Sequence, residues 1–207
     1  MTLATTLNGA ALSASLIMAI GAQNTFVLRQ GLTRQHVFLT ALMCTLCDLF
    51  LMSLGVAGMG RLLAAMPDLQ RWMAVFGTAF VLWYGFNAFK NALHPSTLND
   101  DHRERAFGTP SKVILAGLAF SFLNPHSLLD TVVLVGSIGA QQAASERPFF
   151  VIGAVGFSAI WFFSLAYGSS KLSHLFSSPK AWRILDIAIG FMMLAIAYSL
   201  IKMTGFF

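Results

Sequence analysis

Six stretches of this chain are too apolar, for too long, to be anything but helices buried in a membrane. They run over Leu3–Leu28, Val37–Gly60, Trp72–Phe89, Val113–Gly139, Phe149–Ser169 and Trp182–Met203. Each approaches the ~20 residues that a helix needs to cross the hydrocarbon core of a bilayer. In lipid a spanning segment must satisfy its own backbone polar groups, and a helix does so internally. Only 10% of the 207 residues are charged, against about 25% in a soluble domain. The expected fold is an all-α membrane protein with six transmembrane helices and little room for a soluble domain. No Lys or Arg precedes Arg29, so the first run lacks the charged start of a cleaved signal peptide and is expected to be retained.

One run departs from helical continuity. Ser121-Phe-Leu-Asn124-Pro125-His126-Ser-Leu-Leu-Asp130 lies inside the fourth. Pro125 lacks an N–H and clashes with the carbonyl four residues back, so a helix must kink or break there. Asp130 at that depth costs at least ~2.5–3.5 kcal/mol by insertion scales. One reading is a kinked helix with a protonated, hydrogen-bonded aspartate. The other is a broken helix lining a polar site near the midplane, an arrangement that transporters use. Gly21-Ala22-Gln23-Asn24 breaks the first run in a similar way, with two adjacent amides that can bind exposed carbonyls or a ligand. His126 follows Pro125 and could line the same cavity.

Asp48 lies within the second run, in Cys44-Thr-Leu-Cys47-Asp48. With no Lys or Arg well inside any run, Asp48 and Asp130 are expected either to be protonated or to await a cation from outside. Such a pair suits a cationic substrate, a proton-coupled cycle, or both, or else two structural aspartates held by hydroxyls or backbone. Asp186, near Lys180 and Arg183, reads as an interfacial ion pair. Trp161, deeper than Trp72 and Trp182, could wall the cavity and stack on a cation. Gly9, Ser13, Gly153 and Gly156 allow close helix packing or a dimer seam. Cys44 and Cys47 form a C-x-x-C inside an apolar helix, where thiols behave as small hydrophobes. The five histidines show no metal-ligand spacing, so no metal and no cofactor are expected.

The basic residues lie between the runs, not on one patch, which argues for topology and against nucleic acid. Nine of the 13 fall in the odd-numbered connections: Arg29 and Arg34; Lys90, Arg103, Arg105 and Lys112; Lys171, Lys180 and Arg183. The excess of positive charge on the cytoplasmic side then puts those connections in the cytoplasm and both termini outside. The polar stretch 91–111, with His94, Asp100, Asp101, His102 and Glu104, reads as a linker between two halves, about 1–90 and 112–207. Three runs in each half would make the repeat inverted, with the first and fourth helices broken.

Taken in order, these pieces resemble a known family. They are Gly21-Ala-Gln-Asn24, Arg29-Gln-Gly31, Cys47-Asp48-Leu49, Leu82-Trp-Tyr-Gly-Phe86, Phe122-Leu-Asn-Pro-His126, Leu129-Asp130-Thr131, Gly136-Ser-Ile-Gly-Ala-Gln141, Ile160-Trp161-Phe162 and Ser178-Pro-Lys180. Their joint order, over essentially the whole chain, resembles the LysE-type amino-acid exporters in their lysine/arginine branch. The resemblance implies a proton-coupled exporter of L-arginine or L-lysine in a bacterial inner membrane, an inverted-repeat core and a homodimer. Gln23, Asn24, Asp48, Asn124, Asp130 and Trp161 become the expected substrate-binding positions, with Asp48 and Asp130 for protons and Gly21, Ala22 and Pro125 at the breaks. The family usually has proline where this chain has Ala22, which predicts a milder kink in the first helix. Three other functions stay open: a neutral amino-acid exporter of the homoserine/threonine type, a thiol relay through Cys44 and Cys47, and a membrane scaffold.

Overall fold

The computed structural model describes residues 2–19, 21–59, 65–93, 108–176 and 178–204. The linker candidates at 94–107, and the side chain of His126, lie outside the described residues. Among those described, every regular element is helical. They are α1 (Thr2–Ile17), α2 (Ala22–Leu32), α3 (Val37–Leu54, continuing as a π-helical turn Gly55–Met59), α4 (Pro67–Leu93) and α5 (Pro110–Phe122). Then follow α6, in three pieces (Pro125–Leu128, a π-helical Leu129–Val135, Gly136–Ala140), α7 (Arg147–Lys171, ending in a 3-10 turn Leu172–Phe176) and α8 (Pro179–Thr204).

Proline position explains much of this division. Pro67, Pro110, Pro125 and Pro179 are each the first residue of a helix, and Pro148 is the second of α7. At the first turn the missing N–H is one that would have no partner anyway, and the fixed φ suits helix entry. The prolines therefore start helices here, including in the middle of the fourth run.

Among the described residues, four segments are long and apolar enough to cross a membrane: Val37–Met59, Arg71–Leu93, Arg147–His174 and Pro179–Lys202. The pair α1 and α2, bent by 83°, counts as a fifth if taken as one span. The fourth run is not a continuous span but two shorter apolar helices on either side of Pro125. Helix α4, which carries the third run, is longer than that run at both ends, starting at Pro67 and continuing by one turn over Lys90–Leu93.

Packing is closest where side chains are absent. A Cβ on Gly9 of α1 would strike the Phe150 carbonyl of α7, and one on Gly153 of α7 would strike the Thr6 carbonyl of α1. These glycines therefore serve packing within the monomer, whereas a Cβ on Gly156 would meet no neighbouring helix within 4 Å. Likewise a Cβ on Gly136 would come within 2.6 Å of the Gly55 backbone, so α6 and the end of α3 meet through backbone. The α2–α3 connection ties several helix ends to one face. Arg34 Nε donates to Ser170 O of α7 at 3.2 Å, and His36 Nε2 lies 3.3 Å from Gly108 O just before α5.

Candidate functional site

The site is built where two helix breaks meet. At the first, Gly21 is extended (φ −129°, ψ −176°) and α2 restarts at Ala22. The bend of 83° is far from a mild kink, although no proline imposes it. A side chain holds it instead. The last carbonyls of a helix have no intrahelical partner, and Asn24 Nδ2 donates to that of Ile17 at the end of α1, at 2.8 Å, and to Ala19 O two residues beyond it, at 2.7 Å. Asn24 Oδ1 in turn accepts from Trp161 Nε1 of α7 at 3.1 Å. Thr25 closes the first turn of α2 with backbone and hydroxyl bonds to Gly21 O.

At the second break α5 ends at Phe122, and α6 begins at Pro125, with Leu128 N bonded to Asn124 O at 3.1 Å. The helix then widens into its π-helical stretch, which carries Asp130 and Thr131. Single π turns within α-helices recur at functional sites because they re-aim side chains without ending the helix.

Between the breaks lies a cavity of about 330 Å³, lined among others by Gln23, Asn24, Asp48, Asn124 and Asp130. This is near the lower end of the ~300–1,000 Å³ typical of ligand pockets, a size for a metabolite. Among the described residues that line it there is no Lys, Arg or His. Asp48 is 1% exposed, and Ser158 Oγ of α7 donates to its Oδ2 at 2.6 Å, within the range of strong hydroxyl–carboxylate bonds. Gln23 Nε2 donates to Ser121 Oγ at 3.3 Å, linking the two breaks. Trp161 is not among the lining residues; it reaches the site through Asn24. Apolar walls come from Phe162, Met52 and Met192.

Three features lie beyond what the sequence suggests. Ser158 carries no signal of its own, yet it bonds Asp48. Ser13, fully buried on α1, lines the cavity with its hydroxyl unpartnered. Arg29, expected in a connection, is buried on the last turn of α2, and Asp186 takes it as its ion-pair partner in place of Lys180 or Arg183. Arg29 Nη2 and Asp186 Oδ1 are 3.2 Å apart, at side-chain exposures of 8% and 2%. The Tyr84 ring centre is 5.9 Å from the guanidinium carbon. Cys44 and Cys47 are free, buried thiols; Cys44 belongs to the apolar core with Phe26 and Phe162.

Broken helices packed among long apolar ones, meeting at a cavity that holds two carboxylates, define a multi-pass membrane transporter. The chain belongs to the LysE type translocator family, whose model matches residues 14–204. It is a transporter and not an enzyme. The chain is 40% identical over 194 residues to proteins named arginine exporter protein ArgO from Salmonella paratyphi B and Salmonella typhimurium, covering 94% of this chain and 92% of each relative. It is 39% identical over 197 residues to a putative amino-acid transporter YggA from Aeromonas salmonicida, covering 95% of both. No solved structure matches the chain.

Proposed function

We propose that the protein exports L-arginine, with L-lysine as a second substrate, from the bacterial cytoplasm in exchange for protons. The observation that carries this reading is the cavity, which holds two carboxylates, Asp48 and Asp130, and no basic side chain among the described residues that line it. The likeness to arginine exporters over almost the full chain supports the same substrate. One aspartate pairs with the side-chain cation and the other exchanges protons. Asn24 is committed to the break by its bonds. The substrate carboxylate is therefore assigned to Gln23 and to the first turn of α2, whose N–H groups favour an anion. Proton entry from outside then neutralises a carboxylate and releases the cation there.

The orientation follows the basic residues, with the α2–α3 connection cytoplasmic and both termini periplasmic. An inverted repeat is supported by how the broken segments pack. The first pair rests on the fifth apolar run, α1 and α2 against α7, while α5 and α6 rest on α3 in the second run.

The test is efflux from cells preloaded with an arginine-containing dipeptide. Wild-type protein is compared with Asp48→Asn and Asp130→Asn, and arginine, lysine, leucine and threonine compete. Each substitution is expected to abolish arginine efflux, and collapsing the pH gradient to slow it. Near-normal efflux with both aspartates changed would remove them from the mechanism. Export of threonine or leucine in preference would overturn the substrate.

A further inference from the structure

Two closed layers separate the cavity from the face carrying the α2–α3 connection. The first is aromatic. Phe26 of α2 stacks on Phe120 of α5 at 5.2 Å, and Tyr84 of α4 meets the same Phe120 ring edge-on at 5.2 Å. Phe26 and Phe120 are fully buried. The second layer is the Arg29–Asp186 pair. On α2, Arg29 follows the cavity-lining Asn24 by about 7.5 Å of helical rise, and on α8 Asp186 precedes the cavity-lining Met192 by about 9 Å. Both helices thus carry the pair about one and a half turns beyond the cavity. Farther along α8 in the opposite direction, the cavity residues Ala195 and Ser199 are exposed. The conformation is shut toward the connection face.

Stability does not explain such a pair, because an apolar pair of similar volume would often serve as well. A buried carboxylate beside an aromatic ring does something more specific: it recognises a guanidinium. We propose that Asp186 and Tyr84 form a second cation site on the transport path, filled in this conformation by the chain's own Arg29. Withdrawal of Arg29 from this site opens the passage at the connection face, and a guanidinium or alkylammonium ligand that takes its place closes it again. The ligand class rests on the cation-export reading above; the closed layers do not.

The test uses the full chain in membrane vesicles, with Cys44→Ala and Cys47→Ala and a reporter, Met192→Cys, labelled by a membrane-impermeant maleimide from each side. Arg29→Ala is expected to raise labelling from the connection face by about tenfold, as a shift of the closed–open equilibrium. Methylguanidinium at millimolar concentration should return it to the slow rate, and adding Asp186→Asn should abolish that protection. Because a lone buried aspartate can prevent folding, Arg29→Gln/Asp186→Asn, which leaves no unpaired charge, is measured alongside and should also label fast. Slow labelling of this neutral pair, or methylguanidinium protection that survives Asp186→Asn, would overturn the proposal. The two readings fail separately. Protection by methylguanidinium without arginine efflux would leave the second site standing and remove arginine as substrate. Arginine efflux with a neutral pair that stays closed would remove the second site alone.

Discussion

Asn24 is the side chain on which the first break depends, so its removal gives a graded test. Asn24→Ala loses three hydrogen bonds at once: two to the Ile17 and Ala19 carbonyls at and just beyond the end of α1, and one from Trp161. At a net ~0.5–1.5 kcal/mol each, and with side-chain bonds between membrane helices averaging ~0.6 kcal/mol, the loss is about 2–3 kcal/mol. Trp161→Phe removes one of the three and should cost about 0.5–1.5 kcal/mol. With ~2–4 °C per kcal/mol for chains of this length, Tm should fall by about 4–12 °C for the first variant and about 1–6 °C for the second. Asn24→Asp keeps the acceptor for Trp161 but turns both donors into acceptors facing carbonyls, and should be at least as damaging as Asn24→Ala. The assay is thermal unfolding of purified protein in detergent, with dipeptide-loaded efflux run in parallel. If Asn24→Ala costs no more than Trp161→Phe, or if Asn24→Asp is as stable as wild type, the break is not held by this amide.

Three further outcomes follow from the packing and the site. Gly153→Ala places a Cβ on the Thr6 carbonyl and should deplete folded protein, whereas Gly156→Ala, with nothing within 4 Å, should be neutral or gain up to ~1 kcal/mol; paired thermal scans decide. Ser158→Ala removes the hydroxyl bonded to Asp48 and should displace the pH profile of efflux, while Ser158→Thr restores it; superimposable profiles would show that Asp48 is not the titrating group. The Cys44→Ala/Cys47→Ala protein should export at near wild-type rates in reducing and oxidising media alike, and a folded but inactive pair would revive the thiol relay.

The sequence exposes what backbone chemistry and polarity dictate and hides what tertiary partners decide. Pro125 announces its break because no rotamer or neighbour can return the missing N–H. Asp48 and Asp130 stand out because carboxylates are costly in an apolar run, and the two converge on the same cavity. Arg29 is harder. It follows the last apolar residue of the first run, so composition assigns it to a connection, but the helix continues to Leu32 and buries it. Its partner, Asp186, lies in the sixth run beside two closer cations, Lys180 and Arg183, and only the packing of α2 on α8 selects Arg29. Ala22 misleads for the opposite reason. Judged by backbone alone it permits a continuous helix, and the bend comes from an amide two residues on that reaches back to carbonyls at 17 and 19. Ser158 is legible only through its contact, since a serine in an apolar helix commonly bonds its own backbone.

The two breaks also differ mechanically. At Pro125 the missing N–H and the ring forbid a straight, fully bonded helix in every state of the protein. At Ala22 nothing covalent forbids one; the bend lasts as long as Asn24 keeps its grip on Ile17 and Ala19. The chain therefore carries a fixed elbow at Pro125 and a releasable one at Ala22, which a single altered codon could straighten. Motion has its natural starting place at the releasable break.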